Sequence, residues 1–272
     1  MAPGSRIDTG IADQVKAVAA ALYPDACPEI HFHPQCFLTW GHFAGEDAAR
    51  AAAFLEIAND ESFDVLWFAR GGYGACRLTD AVLPKLTAAA RSKLYLGYSD
   101  AGSLLAGLYA LDFPRLAHGP MPTDIIRKGG RAAVERSLAY LVERAPGSLE
   151  PGLSAEAPSV AFNIEILSKL LGTPLQPDLS GHILLLEEVS EYMYRIDRSL
   201  FHITSNPGVR QAAGIRLGRC SGIPENDPDF RQSEEEVVAH WCEKSGIPYL
   251  GRADIGHDID NKVVPFGPLP TV

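Results

Sequence analysis

Lys93-Leu94-Tyr95-Leu96-Gly97-Tyr98-Ser99-Asp100-Ala101 joins an apolar β-type run to a helical pattern that extends to Leu111. The run ends at Gly97, and the helix begins just past Ser99. A serine on a sharp strand-to-helix turn is how a nucleophile elbow is built. The turn lifts the hydroxyl clear of the sheet, and the helix behind it presents amides with no intrahelical acceptor. That arrangement suits attack on a carbonyl and stabilisation of the resulting oxyanion. Serine is also a favoured helix N-cap, so the stretch by itself admits a purely structural role.

Strand-like and helix-like patterns alternate on both sides of this junction. Residues 10–22 and 46–59 read as helices, Phe63 to Ala69 as a buried strand, and Thr79 to Ala90 as a helix limited by Pro84. Glu29 to His33 is a short strand candidate. From 145 to 160 the chain changes character, with three prolines, two glycines and little periodicity. Beyond it come helices near Asn163–Leu171, Arg195–His202 and Ser233–Lys244, and strands at His182–Leu186, Gly214–Arg219 and Pro248–Gly251. This alternation predicts an α/β protein with parallel sheet. Residues 1–148 are the expected N-terminal α/β domain carrying the nucleophile, 149–160 a linker, and 161–272 a smaller C-terminal α/β domain.

The totals narrow the function classes. Of 272 residues, 46% are hydrophobic and 21% charged, which is globular rather than disordered. The net charge of −10 and the absence of any lysine- or arginine-rich block argue against a nucleic-acid partner. The five cysteines form no CxxC pair, as in a cytoplasmic protein with reduced thiols. Met1 to Arg6 lacks the apolar core of a signal peptide, and no run approaches the roughly 18 apolar residues of a membrane span. A cytoplasmic protein with no membrane partner is expected.

A serine nucleophile needs a base, and the base a carboxylate that orients it. His31 and His33 alternate on the strand candidate but lack an acidic or cysteine partner at metal-ligand spacing. His240, beside Trp241 in a helix, reads as packing, and His202 suits a helix C-terminus. His257 lies in Asp254-Ile255-Gly256-His257-Asp258, a polar loop after a strand, where α/β proteins place catalytic groups. A solvent-exposed loop histidine is the competing reading. Leu184-Leu185-Leu186-Glu187-Glu188 ends an apolar strand with two acids. A buried carboxylate must be paired, and orienting a histidine meets that need; two solvated acids opening a loop is the alternative. Arg70-Gly71-Gly72-Tyr73-Gly74 matches neither GxGxxG nor a P-loop. Paired glycines do let backbone amides approach a ligand closely, so Gly71 and Gly72 supply either an oxyanion donor or a plain tight turn.

Taken in order, several segments resemble the LD-carboxypeptidase family, the serine peptidases of murein tetrapeptide recycling. The matching stretches are Arg70-Gly71-Gly72-Tyr73-Gly74, Gly97-Tyr98-Ser99-Asp100, His118-Gly119-Pro120-Met121, Leu171-Gly172-Thr173-Pro174, Leu186-Glu187-Glu188, Tyr194-Arg195-Ile196-Asp197-Arg198 and Gly256-His257. Ala2-Pro3-Gly4-Ser5 also resembles the loop after the family's first strand, a strand shortened or absent here. The resemblance implies an active site between two α/β domains, a homodimer, and no metal or cofactor. It implies Ser99 as nucleophile, Glu187 as orienting acid and His257 as general base. The backbone N–H of Asp100 and one from Gly71–Gly72 would form the oxyanion hole. The implied substrate is a murein peptide, cut between an L-centre (meso-diaminopimelate or lysine) and a terminal D-alanine.

Arg70, with its planar fork, is the candidate for the D-alanine carboxylate, and Tyr73 for a pocket wall. Arg195 and Arg198 share a helix face and are expected to pair with acids. Two departures from the family pattern carry expectations of their own. Ala161-Phe162-Asn163 stands where Gly-Gly-Asn is common, which predicts a reshaped substrate pocket. Asp258 follows His257 where a small residue is usual, which predicts a raised imidazole pKa. Two rival functions remain: a related peptidase acting on aminoacyl-nucleotides, as the microcin C self-immunity peptidases do, and a non-catalytic two-lobed binder of a small ligand. The first needs an aromatic platform for a base, whereas Trp40, Trp67 and Trp241 lie in structural segments.

Overall fold

The computed structural model describes residues 1–269. Its helices are α1 (Thr9–Leu22), α2 (Asp47–Asn59), α3 (Thr79–Val82), α4 (Ala88–Ser92), α5 (Gly102–Ala110), α6 (Arg131–Glu143), α7 (Ile164–Leu170), α8 (Met193–Ser205) and α9 (Glu234–Ser245). The strands are β1 (Val65–Trp67), β2 (Leu94–Gly97), β3 (Leu116–His118), β4 (Ser159–Asn163), β5 (Ile183–Val189), β6 (Gly214–Ser221), β7 (Tyr249–Arg252) and β8 (Val264–Pro265). They form two sheets, in the orders β1-β2-β3-β8 and β4-β5-β6-β7. All neighbours are parallel except β8, which runs antiparallel to β3.

The apolar runs seen in the sequence are the inner strands. Leu94, Tyr95 and Leu96 of β2, and Leu184, Leu185 and Leu186 of β5, are all buried, as parallel strands covered on both faces require. Both runs end at the C-terminal edges of their sheets, and there the candidate residues gather. The apolar core is continuous between the two lobes: Leu104, Leu105 and Leu108 of α5 belong to one buried cluster with Phe162, Ile164 and Leu167.

Four expectations are corrected. Glu29–His33 is not a strand; His33 instead accepts the Gln35 amide through Nδ1 at 3.1 Å and caps a short 3-10 turn, Pro34–Phe37. Residues 79–90 are not one helix, because the turn containing Pro84 separates α3 from α4. The stretch 149–160 is not a free linker: Leu149 bridges to Val263, buried Glu150 holds Arg216 at 2.7 Å, and Ser159 already belongs to β4. Finally, residues 161–272 do not stay within the second lobe. Val264 pairs with His118 in the first sheet, and Gly267 then bridges Ser159 at the edge of the second. A two-residue strand has no periodicity to read, so this return was invisible in the sequence.

Phe266 sits at that seam, 5% exposed, with its ring 5.2 Å from Phe162 and 5.5 Å from Tyr109. Phe266→Ala should cost about 3–5 kcal/mol of stability through the cavity it leaves, read as a lowered denaturant midpoint with little change in its slope.

Candidate active site

β2 delivers Tyr98 and Ser99 to the edge of the first sheet. Ser99 has φ of 59°, a left-handed conformation uncommon outside glycine, and opens a 3-10 turn, Ser99–Ala101, that runs into α5. The Asp100 amide lies among the first N–H groups of this helical run, which have no intrahelical acceptor. The loop after β1 lies directly against the elbow. A Cβ on Gly71 would stand 2.9 Å from Ser99 Cβ, 3.1 Å from Ser99 Oγ and 3.5 Å from the Asp100 nitrogen. A side chain there would occupy the space beside the hydroxyl, so the close approach requires glycine. Gly72 faces the other way, toward Ser5. Ser5 N–H donates to the Gly71 carbonyl at 3.0 Å. Fully buried Arg50 donates to the Pro3 and Gly74 carbonyls and pairs with Asp47, bracing both loops from within.

β5 supplies the second part of the site. Glu187 has no solvent exposure, and its Oε2 is hydrogen-bonded to Nδ1 of His257, which is itself 9% exposed. A carboxylate at Nδ1 selects the tautomer with its proton there, leaving the lone pair on Nε2. Burial pulls the imidazole pKa down, but attraction to Glu187 and the hydrogen bond outweigh it and leave the pKa raised. The His257 ring lies 4.7 Å from the ring of Tyr98, the residue preceding Ser99. The imidazole also acts electrostatically on the Asp100 carboxyl, opposing the upward push of burial on that group. Glu187, His257 and the Ser99 elbow thus share one neighbourhood at the seam of the lobes. Ser99 Oγ and His257 Nε2 are not hydrogen-bonded to each other, a contact that in serine hydrolases often closes only with substrate.

Residues beyond the expected set surround the imidazole. His118 of β3 is fully buried, and its Nε2 pairs with Asn261 Oδ1 at 3.2 Å. Burial pulls the His118 pKa down to about 4, so it is neutral here. The same Asn261 oxygen accepts the Gly256 amide at 3.2 Å, tying the loop that carries His257 to the first sheet. Glu188 points away from His257. It accepts the Glu165 amide at the start of α7 and the Asn163 side chain, and burial raises its pKa to about 7.

Other expectations fare unevenly. Arg70 is exposed and donates to the Arg6 carbonyl at 3.0 Å. Tyr73 is exposed beside His42 and Phe43, with ring centroids 6.3 and 6.1 Å away. Phe162 does not line a pocket; it is a core residue, 1% exposed, packed on Phe266. Asp258 does not face the imidazole as a free charge: it is forked by Arg219, and although burial pushes its pKa up, that guanidinium holds it down. Arg195 approaches Glu191 at 3.6 Å, whereas Arg198 lies over the Tyr194 ring instead of an acid. Trp67 and Trp241 spend their indole N–H groups on the Pro120 carbonyl and Asp197, and Trp40 stacks on Phe43. Among the described residues no cluster of three His, Cys, Asp or Glu side chains is arranged to hold a metal, and no helix is long and apolar enough to cross a membrane.

Residues 1–119 match the LD-carboxypeptidase N-terminal domain and residues 156–272 the LD-carboxypeptidase C-terminal domain. The chain belongs to the LD-carboxypeptidase family. One curated relative is the probable murein peptide carboxypeptidase of Bacillus subtilis, 29% identical over 238 residues, which cover 84% of this chain and 74% of that protein. The fold is shared with a muramoyltetrapeptide carboxypeptidase from Oxalobacter formigenes, at a TM-score of 0.79, 22% identity, and 98% and 92% coverage of the two chains. It is shared equally with the microcin C7 self-immunity protein, at a TM-score of 0.79, 18% identity, and 98% and 90% coverage. Membership places this chain among the serine carboxypeptidases. Within that class, Gly71→Ala should reduce kcat by at least about a hundredfold while the protein stays folded, because the added methyl crowds Ser99 Oγ and a displacement near 1 Å is that costly. Steady-state kinetics with circular dichroism of the same sample checks this.

Proposed function

We propose that this LD-carboxypeptidase releases the terminal D-alanine of a murein tetrapeptide, using Ser99, His257 and Glu187 as its catalytic triad. The observation that carries the reading is the buried Glu187–His257 hydrogen bond set beside a serine in a left-handed conformation. In this mechanism Ser99 Oγ attacks the carbonyl of the L-centred residue and His257 Nε2 takes its proton. Glu187 holds Nδ1–H and stabilises the imidazolium. The Asp100 amide and one from Gly71–Gly72 meet the oxyanion. His257 returns the proton to the departing D-alanine nitrogen, and a water deprotonated by the same ring hydrolyses the acyl-enzyme. Arg70, at the rim, is the proposed partner of the D-alanine carboxylate. Purified Ser99→Ala should lose several orders of magnitude in D-alanine release from a tetrapeptide; unchanged release would exclude Ser99 as nucleophile.

Aminoacyl-nucleotides are the second substrate class, favoured by the fold shared with the microcin C7 self-immunity protein and by half-exposed Trp40, which stacks on Phe43, itself 6.1 Å from the Tyr73 ring. Parallel assays on a tetrapeptide and an aminoacyl sulfamoyl adenosine separate the two classes. The pH dependence follows from the base. A general base works as the neutral imidazole, and its pKa is raised above 6.5. The rate kcat/KM should therefore climb with pH through a midpoint above 6.5. In Glu187→Gln the attraction is gone and burial acts largely unopposed, so the midpoint should move to lower pH while the plateau falls by at least about a hundredfold.

A further inference from the structure

The loop carrying His257 is held by a side chain that the catalytic reading does not use. β6 is irregular where it passes Glu187. The register runs Leu186↔Leu217 and then Glu188↔Cys220, so β6 carries one extra residue at this point. The irregularity includes Gly218, where a Cβ would come within 3.0 Å of Glu187 Cβ and 2.8 Å of the Ile255 carbonyl oxygen. The next residue, Arg219, donates its amide to that Ile255 carbonyl at 2.8 Å. Its side chain then engages the loop at three points: Nε on Asp258 Oδ2 at 2.5 Å, Nη2 on Asp258 Oδ1 at 2.8 Å, and Nη1 on Asp254 Oδ1 at 2.6 Å. Such a bidentate fork fixes direction as well as distance, which a lysine cannot do.

We propose that Arg219 is the positioning residue of the catalytic base: clamped to Asp254 and Asp258 on either side of His257, it sets the imidazole against Glu187 and offsets the Asp258 charge next to it. The inference rests on His257 being the base. The other groups facing the ring are Glu187 from β5, Tyr98 and Asp100 from the elbow, and His118 from β3; Glu188, turned away toward Asn163 and α7, acts on it only through its charge. Asp124, paired with Arg127 at 2.8 Å, acts on the ring from the turn after β3. These stay in place when Arg219 is changed, so the variant frees the Asp254 and Asp258 carboxylates and the loop geometry, and the Asp258→Asn arm singles out the charge beside the ring.

The test compares Arg219→Met, Asp258→Asn and the double variant by kcat, KM and the pH profile of kcat/KM, with His257→Asn as reference. Arg219→Met should lose about tenfold to a hundredfold in kcat with KM within about threefold. Its acid limb should move to higher pH, because an uncompensated Asp258 stabilises the imidazolium. The double variant should return the limb to its original position while kcat stays low. A merely structural arginine would leave the limb unmoved, and an Arg219→Met protein with native kcat and limb overturns the proposal. If Arg219→Met does not fold, Arg219→Lys carries the test: it keeps the charge and loses the fork, so kcat should fall with the limb in place, and native kcat again overturns the idea. Full activity in His257→Asn would instead remove the catalytic reading beneath it.

Discussion

A carboxylate shut away from water at the end of a parallel strand has to be met by a cation or a hydrogen-bond donor, since desolvating it alone costs several kcal/mol. Glu187 is in that position, with no exposure at the edge of β5, and the imidazole of His257 meets it. Much of the molecule serves this contact. The β5 run buries Glu187, the irregularity in β6 makes room beside it, and the loop after β7 brings the histidine back over the sheet. The same contact selects the ring tautomer and raises the basicity of the imidazole. The interaction that gives Glu187 Oε2 its partner is therefore the one that orients the imidazole, while Oε1 stays buried without a hydrogen bond.

The serine side of the site is built on a different constraint, steric rather than electrostatic. Ser99 holds a left-handed backbone conformation at the turn between β2 and α5, and Gly71 lies against it with no room for a side chain. Arg50, wholly buried, keeps the neighbouring loops from relaxing away by binding their carbonyls. The two halves come together because the lobes share an apolar core and because the segment around β8 pairs with both sheets. A seam fastened in this way gives the site little freedom to separate, which sets the molecule apart from a two-lobed binder hinged on a loose linker.

Most of the main features were legible from residues close together in the chain. The strand-to-helix turn at Ser99, the glycine loop at 70–74, the acids closing β5 and the polar loop at His257 each carry a local signature. Where reading failed, tertiary contacts had overridden local pattern. Phe162 resembles a pocket change in the sequence and is core in the structure, because which face of a buried strand meets a cleft depends on the opposing layer. Asp258 reads as a charge beside the base and is instead the acceptor of an arginine 39 positions away. Residues 149–160 look like a linker because Pro151, Gly152 and Pro158 break any periodicity, yet buried Glu150 and the β4 pairing hold their ends in place.

The amino-acid sequence by itself determined the alternation of strands and helices, the elbow and the types of residue available for chemistry, since each depends on period, turn residues or side-chain chemistry over a few positions. Only the tertiary structure decided that Glu187 meets His257 across 70 positions, that Arg219 rather than solvent takes Asp258, and that β8 crosses back to the first sheet. Those outcomes are set by which buried polar groups find partners when the layers close, and no local pattern in the chain encodes that pairing.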